Sequence, residues 1–264
     1  MIERVVPGFL PSIHGLHFVN AFAPGPTVRL GRLDPRAVGI GDASSGLCGG
    51  MALTARDLWA AGVAAPEDRE PPANGSRRFR ALVRAQVMSL DWLRVPLRYA
   101  VLALLHAEAP SGLAVGHHLV AGLRLGLRRG PVRVPTIRRE WPRVRAELDA
   151  GRPCMLELIR VGGFSPAALI RNHQVLVWAY TADEACCGEP AELEAQGGAI
   201  RLRVYDPNHA GDDDVELELT IAPDNRHGPR PQAERVTLRQ TTGEPLLGFF
   251  RGPCPPNAPV DAWR

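Results

Sequence analysis

Lysine is absent from this chain, and arginine carries every one of its 31 basic side chains. With abundant Ala, Gly and Pro beside it, that bias reads as codon usage, not mechanism. The arginines are scattered and the formal net charge is only +3. A concentrated basic face, which a protein that tracks a nucleic-acid backbone needs, is therefore missing. Long apolar runs are missing too. Those around Val101–Leu105 and Leu119–Leu127 are short or broken by arginine, and neither can span a bilayer. The segment 1–22 holds Pro7, Pro11 and two histidines but no unbroken apolar stretch, which argues against a secretory signal. Cysteine is scarce. The five present are irregularly spaced, Cys186 and Cys187 are adjacent, and no C-x-x-C occurs. An odd count in that pattern argues against a disulfide framework and a zinc ribbon. The expectation is a soluble cytoplasmic protein in a reducing compartment, without nucleic-acid or membrane partners.

What is present suits a globular chain. With 264 residues, 45% of them hydrophobic and 22% charged, it can bury a sizeable core. Residues 1–45 are rich in Pro and Gly and carry little periodicity, so fragments such as Leu16–Asn20 are expected as extended arms on a core. From Gly49 the pattern turns helical, with Met51, Ala55, Leu58 and Trp59 on one face and Gly62 closing the helix. A second helix carries Phe79, Leu82, Val83, Gln86, Leu90 and Leu93 and is interrupted at Pro96. Further helices are expected over 97–108, 115–129 and 139–150. The texture then changes to strands over 154–160, 173–180, 200–205, 215–220, 235–240 and 246–250. Short links favour antiparallel pairing. Residues 183–198 read as an acidic surface loop, and the chain after Pro253 as irregular. The expected organisation is one α+β domain: a mainly helical half (1–150), a β half (151–252) and a tail (253–264).

The most informative stretch is Gly46–Met51, which puts Cys48 between small residues at the mouth of a helix. The first helical turn offers unpaired N–H groups and the positive end of the macrodipole, and both stabilise a thiolate. The competing reading is a buried, inert thiol. A thiol nucleophile needs a base and a group that orients the base. Of the histidines, His106 and the pair His117–His118 sit on expected helices as packing or surface residues, while His14 and His17 lie in the N-terminal arm, where they could line a pocket. His173 opens the most apolar strand. Asp206 follows the strand 200–205, just before Pro207. If the two strands pair, Asp206 can accept from the His173 ring and hold its tautomer.

A helix-opening Gly-x-Cys-Gly-Gly, a distant Asn-His-x-Val-x-Val strand and a strand ending in Tyr-Asp-Pro-Asn, in that order, resemble the papain-like cysteine peptidase superfamily. The flavour is nearest to its bacterial branches, such as the bacteriocin-processing peptidases. Gly151-Arg152-Pro153 before an apolar strand matches those branches as well. The resemblance covers residues 42–208. It implies a papain-like fold, with the nucleophile's helix packed on an antiparallel β half. It also implies a Cys48–His173–Asp206 triad, with Asn208 as the alternative orienting group, since papain uses asparagine there. One position departs from the pattern. The superfamily usually has a glutamine six residues before the cysteine, to bind the oxyanion, and here that residue is Asp42. A carboxylate would repel developing negative charge. The Cys48 N–H can still serve, and a second donor must come from Asn20, Ser44, Ser45 or Gln86. For Gln86 a buried amide bonded to backbone is the competing reading.

The expected activity is thiol-dependent hydrolysis or acyl transfer on a peptide or protein substrate, through a thioester and with no cofactor. The alternative is a catalytically inactive papain-like binding module, suggested by Asp42. The run Asp206–Asp214 begins like a calcium loop, but position twelve is Leu217, where a glutamate is needed. An acidic hairpin turn is expected instead, with no metal. Oligomeric state is not legible.

Overall fold

Pairing of the apolar runs in the second half builds the framework of the molecule. The computed structural model describes residues 1–25, 42–91, 94–106, 132–161, 171–223, 235–255 and 260–264. The helix expected over 115–129, with His117 and His118, lies outside the described residues. All six expected strands are present: β2 (Cys154–Ile159), β3 (His173–Ala182), β4 (Gly198–Tyr205), β5 (Glu216–Ile221), β6 (Val236–Gln240) and β7 (Gly248–Arg251). Every pairing is antiparallel, in the order β6-β5-β4-β3-β2-β7. The sheet forms a half-barrel, so the chain is an α+β protein.

Strand β3 is the hub. It pairs with β2 on one side and β4 on the other, and is buried along most of its length. A bulge at Trp178 shifts the register between Val177 and Ala179. A seventh strand, β1 (Ile2–Val5), was not expected from the sequence. It pairs with the far half of β3, from Ile2 opposite Ala182 to Val5 opposite Ala179. Only four residues long, and largely exposed, it carries no apolar alternation to announce it.

The helical half places two long helices beside the sheet. Helix α1 is a single turn (Pro11–His14). Helix α2 (Cys48–Ala60) packs against β3 and against α3 (Arg77–Ser89). Gly62, with φ +63, closes α2 in a left-handed cap. Ser76 caps α3 by accepting from the Phe79 N–H at 3.1 Å. The break expected at Pro96 comes earlier, at Leu90–Asp91, where Asp91 has φ +42. Pro96 instead sits in the first turn of α4 (Arg94–His106), where no intrahelical N–H bond is lost. The helix expected over 139–150 begins earlier as well. Helix α5 runs Arg133–Pro135, through a π-helical stretch Thr136–Glu140, into Trp141–Asp149.

Helix α5 bonds to both edge strands of the half-barrel. Thr136 Oγ1 accepts from the Phe249 N–H at 3.0 Å, Glu140 Oε2 accepts from the Arg251 N–H at 3.0 Å, and Arg133 donates to the Val236 carbonyl at 3.1 Å. Edge groups left bare would invite pairing with another chain. The expected acidic loop 183–198 instead contains a 3-10 turn and helix α6 (Pro190–Gln196), which starts with proline at its first position. The N-terminal arm packs on the core, with Leu16 and Phe18 fully buried against Met51, Leu58 and Phe79, but it is bent at His17, Phe18 and Asn20, not extended.

Candidate active site

The site is assembled where α2 meets the start of β3 and the end of β4. Cys48 is the first residue of α2 and is half-buried, so its N–H has no acceptor within the helix. The helix comes close to its neighbours because Gly49 and Gly50 lack side chains. A Cβ on Gly49 would collide with the Gln174 amide and the Ser89 hydroxyl, and one on Gly50 with the Leu82 carbonyl.

His173 and Asp206 form the core of the arrangement. The pairing of β3 with β4 sets Leu176 opposite Tyr205, which brings the residue after β4 to the start of β3. His173 Nε2 lies 2.6 Å from Asp206 Oδ1, and both side chains are buried. This leaves Nδ1 as the ring nitrogen that Asp206 does not hold. Cys48, at the start of α2, is near enough to influence the titration of the ring. Burial opposes the imidazolium, but the Asp206 charge, the Cys48 charge and hydrogen bonds to both outweigh it. The His173 pKa is pushed up to about 9. Burial likewise opposes the Asp206 carboxylate, yet the imidazolium and the bonds it accepts hold its pKa down to about 2.

Two residues that sequence reasoning missed complete the surroundings of Asp206. Gln240 Nε2, at the end of β6, donates to Asp206 Oδ2 at 2.8 Å. Arg160, following β2, has Nη2 at 3.6 Å from that same oxygen and donates to Gln240 Oε1 at 2.9 Å. The Asn208 N–H donates to Asp206 Oδ1 at 2.9 Å in an Asx turn. These contacts span β2, β4 and β6, and no local sequence pattern connects them.

Asp206, not Asn208, therefore holds the histidine ring. The Asn208 side chain turns to the N-terminal arm, where its Oδ1 accepts from Asn20 Nδ2 at 3.1 Å. Asn20 Oδ1 accepts from the Leu47 N–H at 2.6 Å, and the Asn20 N–H donates to the Pro207 carbonyl at 2.9 Å. Asn20 is thus fixed to the residue before Cys48 and to the turn after Asp206. A Cβ on Gly46 would lie 2.5 Å from Asn20 Nδ2, so that glycine makes room for the amide.

The other candidates are engaged elsewhere. Gln86 accepts from the Gly50 N–H at 2.9 Å and donates its amide to Gln174 Oε1 at 2.9 Å, which is the backbone-bonded reading. Ser44 Oγ donates to Asp42 at 2.7 Å, and Ser45 is exposed on the same turn. Asp42 caps that turn, accepting from the Ser44 N–H at 2.9 Å and the Gly25 N–H at 3.3 Å. Its carboxylate serves the loop that leads into α2.

His14 stacks on Phe9, and His17 bridges the Ser12 and Pro66 carbonyls at 3.0 and 3.1 Å. Neither is placed in the site by these contacts. Asp213 takes the Ser12 hydroxyl and Asp206 takes His173, so the run 206–214 does not converge on one point. Among the described residues no group of three or more His, Cys, Asp or Glu side chains is arranged to hold a metal ion. No helix among them is long and apolar enough to cross a membrane. All five cysteines are free.

No family model, curated protein or solved structure matches this chain. The chemistry of the site rests on its own geometry.

Proposed function

We propose that the chain is a thiol-dependent hydrolase or acyltransferase of papain-like architecture, acting on peptide or amide bonds through Cys48, His173 and Asp206. The observation that carries the reading is the buried His173 ring, held by Asp206 through Nε2, with its titration coupled to Cys48 at the first position of α2. A base within reach of a thiol, itself oriented by a third buried group, is the constellation that activates a nucleophile.

In the proposed reaction, Cys48 Sγ attacks the substrate carbonyl carbon as a thiolate, and the carbonyl π pair moves to oxygen. The tetrahedral oxyanion collapses, the C–N bond breaks, and His173 delivers its proton to the departing amine. A thioester remains on Cys48. His173, now neutral, removes a proton from water or an amine as it attacks the thioester, and the sulfur leaves as thiolate. Asp206 stays ionised throughout and balances the imidazolium. The Cys48 N–H, at a helix N-terminus, is one donor to the oxyanion. Asn20 Nδ2, which gives one proton to Asn208 Oδ1 and keeps its second, is proposed as the other donor, because its amide packs on Gly46 and is fixed to Leu47. It replaces the glutamine whose position Asp42 occupies.

Incubation with p-nitrophenyl acetate tests the reading. A burst of p-nitrophenolate, with one acetyl group recovered on the Cys48 peptide by mass spectrometry, is expected. No acetylation of Cys48 in the intact protein would overturn it. The second reading, an inactive papain-like binding module, draws on Asp42. It predicts peptide binding by calorimetry with no acyl-enzyme.

A further inference from the structure

A buried carboxyl that the proposed chemistry does not use sits beneath the site. Glu157 lies on β2, fully buried and directly opposite Gln174 on β3. A chain of hydrogen bonds runs from it to the nucleophile's helix, and its polarity is fixed. The Gly50 N–H can only donate, and it donates to Gln86 Oε1 at 2.9 Å. That orients Gln86 so that Nε2 donates to Gln174 Oε1 at 2.9 Å. Gln174 Nε2 then donates to Glu157 Oε1 at 2.8 Å, so residue 157 must supply an acceptor. The second oxygen of Glu157 leads to the histidine. Tyr99 Oη lies 3.1 Å from Glu157 Oε2 and 3.3 Å from the His173 carbonyl.

We infer that Glu157 is a positioning residue, one buried carboxyl that ties the helix bearing Cys48 and the strand bearing His173 into a single hydrogen-bonded unit. The inference rests on the reading of Cys48 and His173 as nucleophile and base. Three features support it. The glycines at 49 and 252 leave the space: a Cβ on Gly49 would strike the Gln174 oxygen, and one on Gly252 would lie 2.5 Å from Glu157 Oε1. Burial raises the Glu157 pKa to about 8, against the lowering effects of Gln174, Tyr99, Arg98 and His173, so the group is mainly neutral at pH 7. A neutral carboxyl can accept from Gln174 with one oxygen and donate to Tyr99 with the other. The tyrosine proton is then free for the His173 carbonyl. Every member is satisfied, which is the condition for a buried polar network to hold a geometry.

The experiment compares iodoacetamide alkylation of Cys48, followed by peptide mapping, in the parent and in His173→Ala, Glu157→Met and Glu157→Gln variants. The His173-dependent part of the rate is the readout. Glu157→Met should lower it by about tenfold or more through misplacement of the two groups, with a cooperative melt retained. Glu157→Gln, which can still accept from Gln174 and donate to Tyr99, should restore most of the loss. Tyr99→Phe and Gln86→Met cut the two branches separately and should each give part of the loss, including where Glu157→Met does not fold. A folded Glu157→Met with the parental His173-dependent rate would overturn the inference, as would Glu157→Gln no better than Met. A parent no faster than His173→Ala would overturn both this inference and the reading of the site, so the two failures are distinct.

Discussion

His173 Nε2 and Asp206 Oδ1 lie 2.6 Å apart, fully inside the protein. The pair is made by one strand register, since β4 ends at Tyr205 opposite Leu176, three residues into β3. Removing the carboxylate leaves a buried ring without its partner. Asp206→Ala should lower the rate of Cys48 acylation by roughly two to four orders of magnitude, the range set by losing the orienter of a catalytic histidine. Single-turnover kinetics with an activated ester checks this. Asp206→Asn should lose nearly as much, because an amide can present its N–H to the ring and favour the wrong tautomer.

Asn20 makes a different prediction. An oxyanion develops during acylation by an ester but not during alkylation by iodoacetamide. Asn20→Ala should therefore reduce acylation about 100-fold or more, with a much smaller change in the alkylation rate. Equal losses in the two reactions would assign Asn20 to holding Leu47 and the loop alone.

The first turn of α2 depends on its glycines. Gly50→Ala drives a Cβ into the Leu82 carbonyl on α3, a backbone atom that cannot swing aside. A cost of about 1–3 kcal/mol is expected from such overpacking, read as a lowered midpoint in urea. Gly49→Ala meets the Gln174 amide and Ser89 instead, so it should also disturb Cys48 reactivity.

Protons should stabilise the folded chain near neutrality. The His173 pKa is raised from 6.5 to about 9 and that of Glu157 from 4.5 to about 8, so the native state holds both protons more tightly than the unfolded one. The Glu157 contribution is complete below about pH 4.5 and is lost as the pH rises through about 8. The histidine contribution is complete below about pH 6.5 and is lost as the pH rises through about 9. Asp206, lowered from 3.8 to about 2, acts in reverse and loses its contribution as the pH falls from about 3.8 through about 2. Tm should decline from mildly acidic to alkaline pH. Glu157→Gln should remove the part of that decline that starts near pH 4.5, and calorimetric melts across the range check it.

The sequence announces much of this fold and some of the site. Six strands are legible because their apolar residues form short runs between turn residues. The N-terminus of α2 is legible because Gly-rich sequence precedes an apolar helical stripe. Cys48, His173 and Asp206 are legible as residue types at the ends of such elements. Strand β1 is not, because Ile2–Val5 is a strand only by virtue of its pairing with β3. Helix α6 hides in an acidic stretch whose one signal is Pro190. Gln240 and Arg160 reach Asp206 from other strands, so only the sheet order brings them there. Asp42 caps the turn that leads into α2, accepting from the Ser44 N–H. Asn20 sits beside Leu47 through chain packing that no spacing rule encodes.

The most direct measurement is the rate at which iodoacetamide modifies Cys48 at slightly acidic pH, in the parent and in the His173→Ala variant. The exposed Cys254 serves as an internal reference by peptide mapping. If His173 activates the thiol, Cys48 in the parent should react about tenfold faster or more than in the variant, while Cys254 is unchanged. Equal rates at Cys48 in the two proteins would contradict the central claim that these two residues work as nucleophile and base.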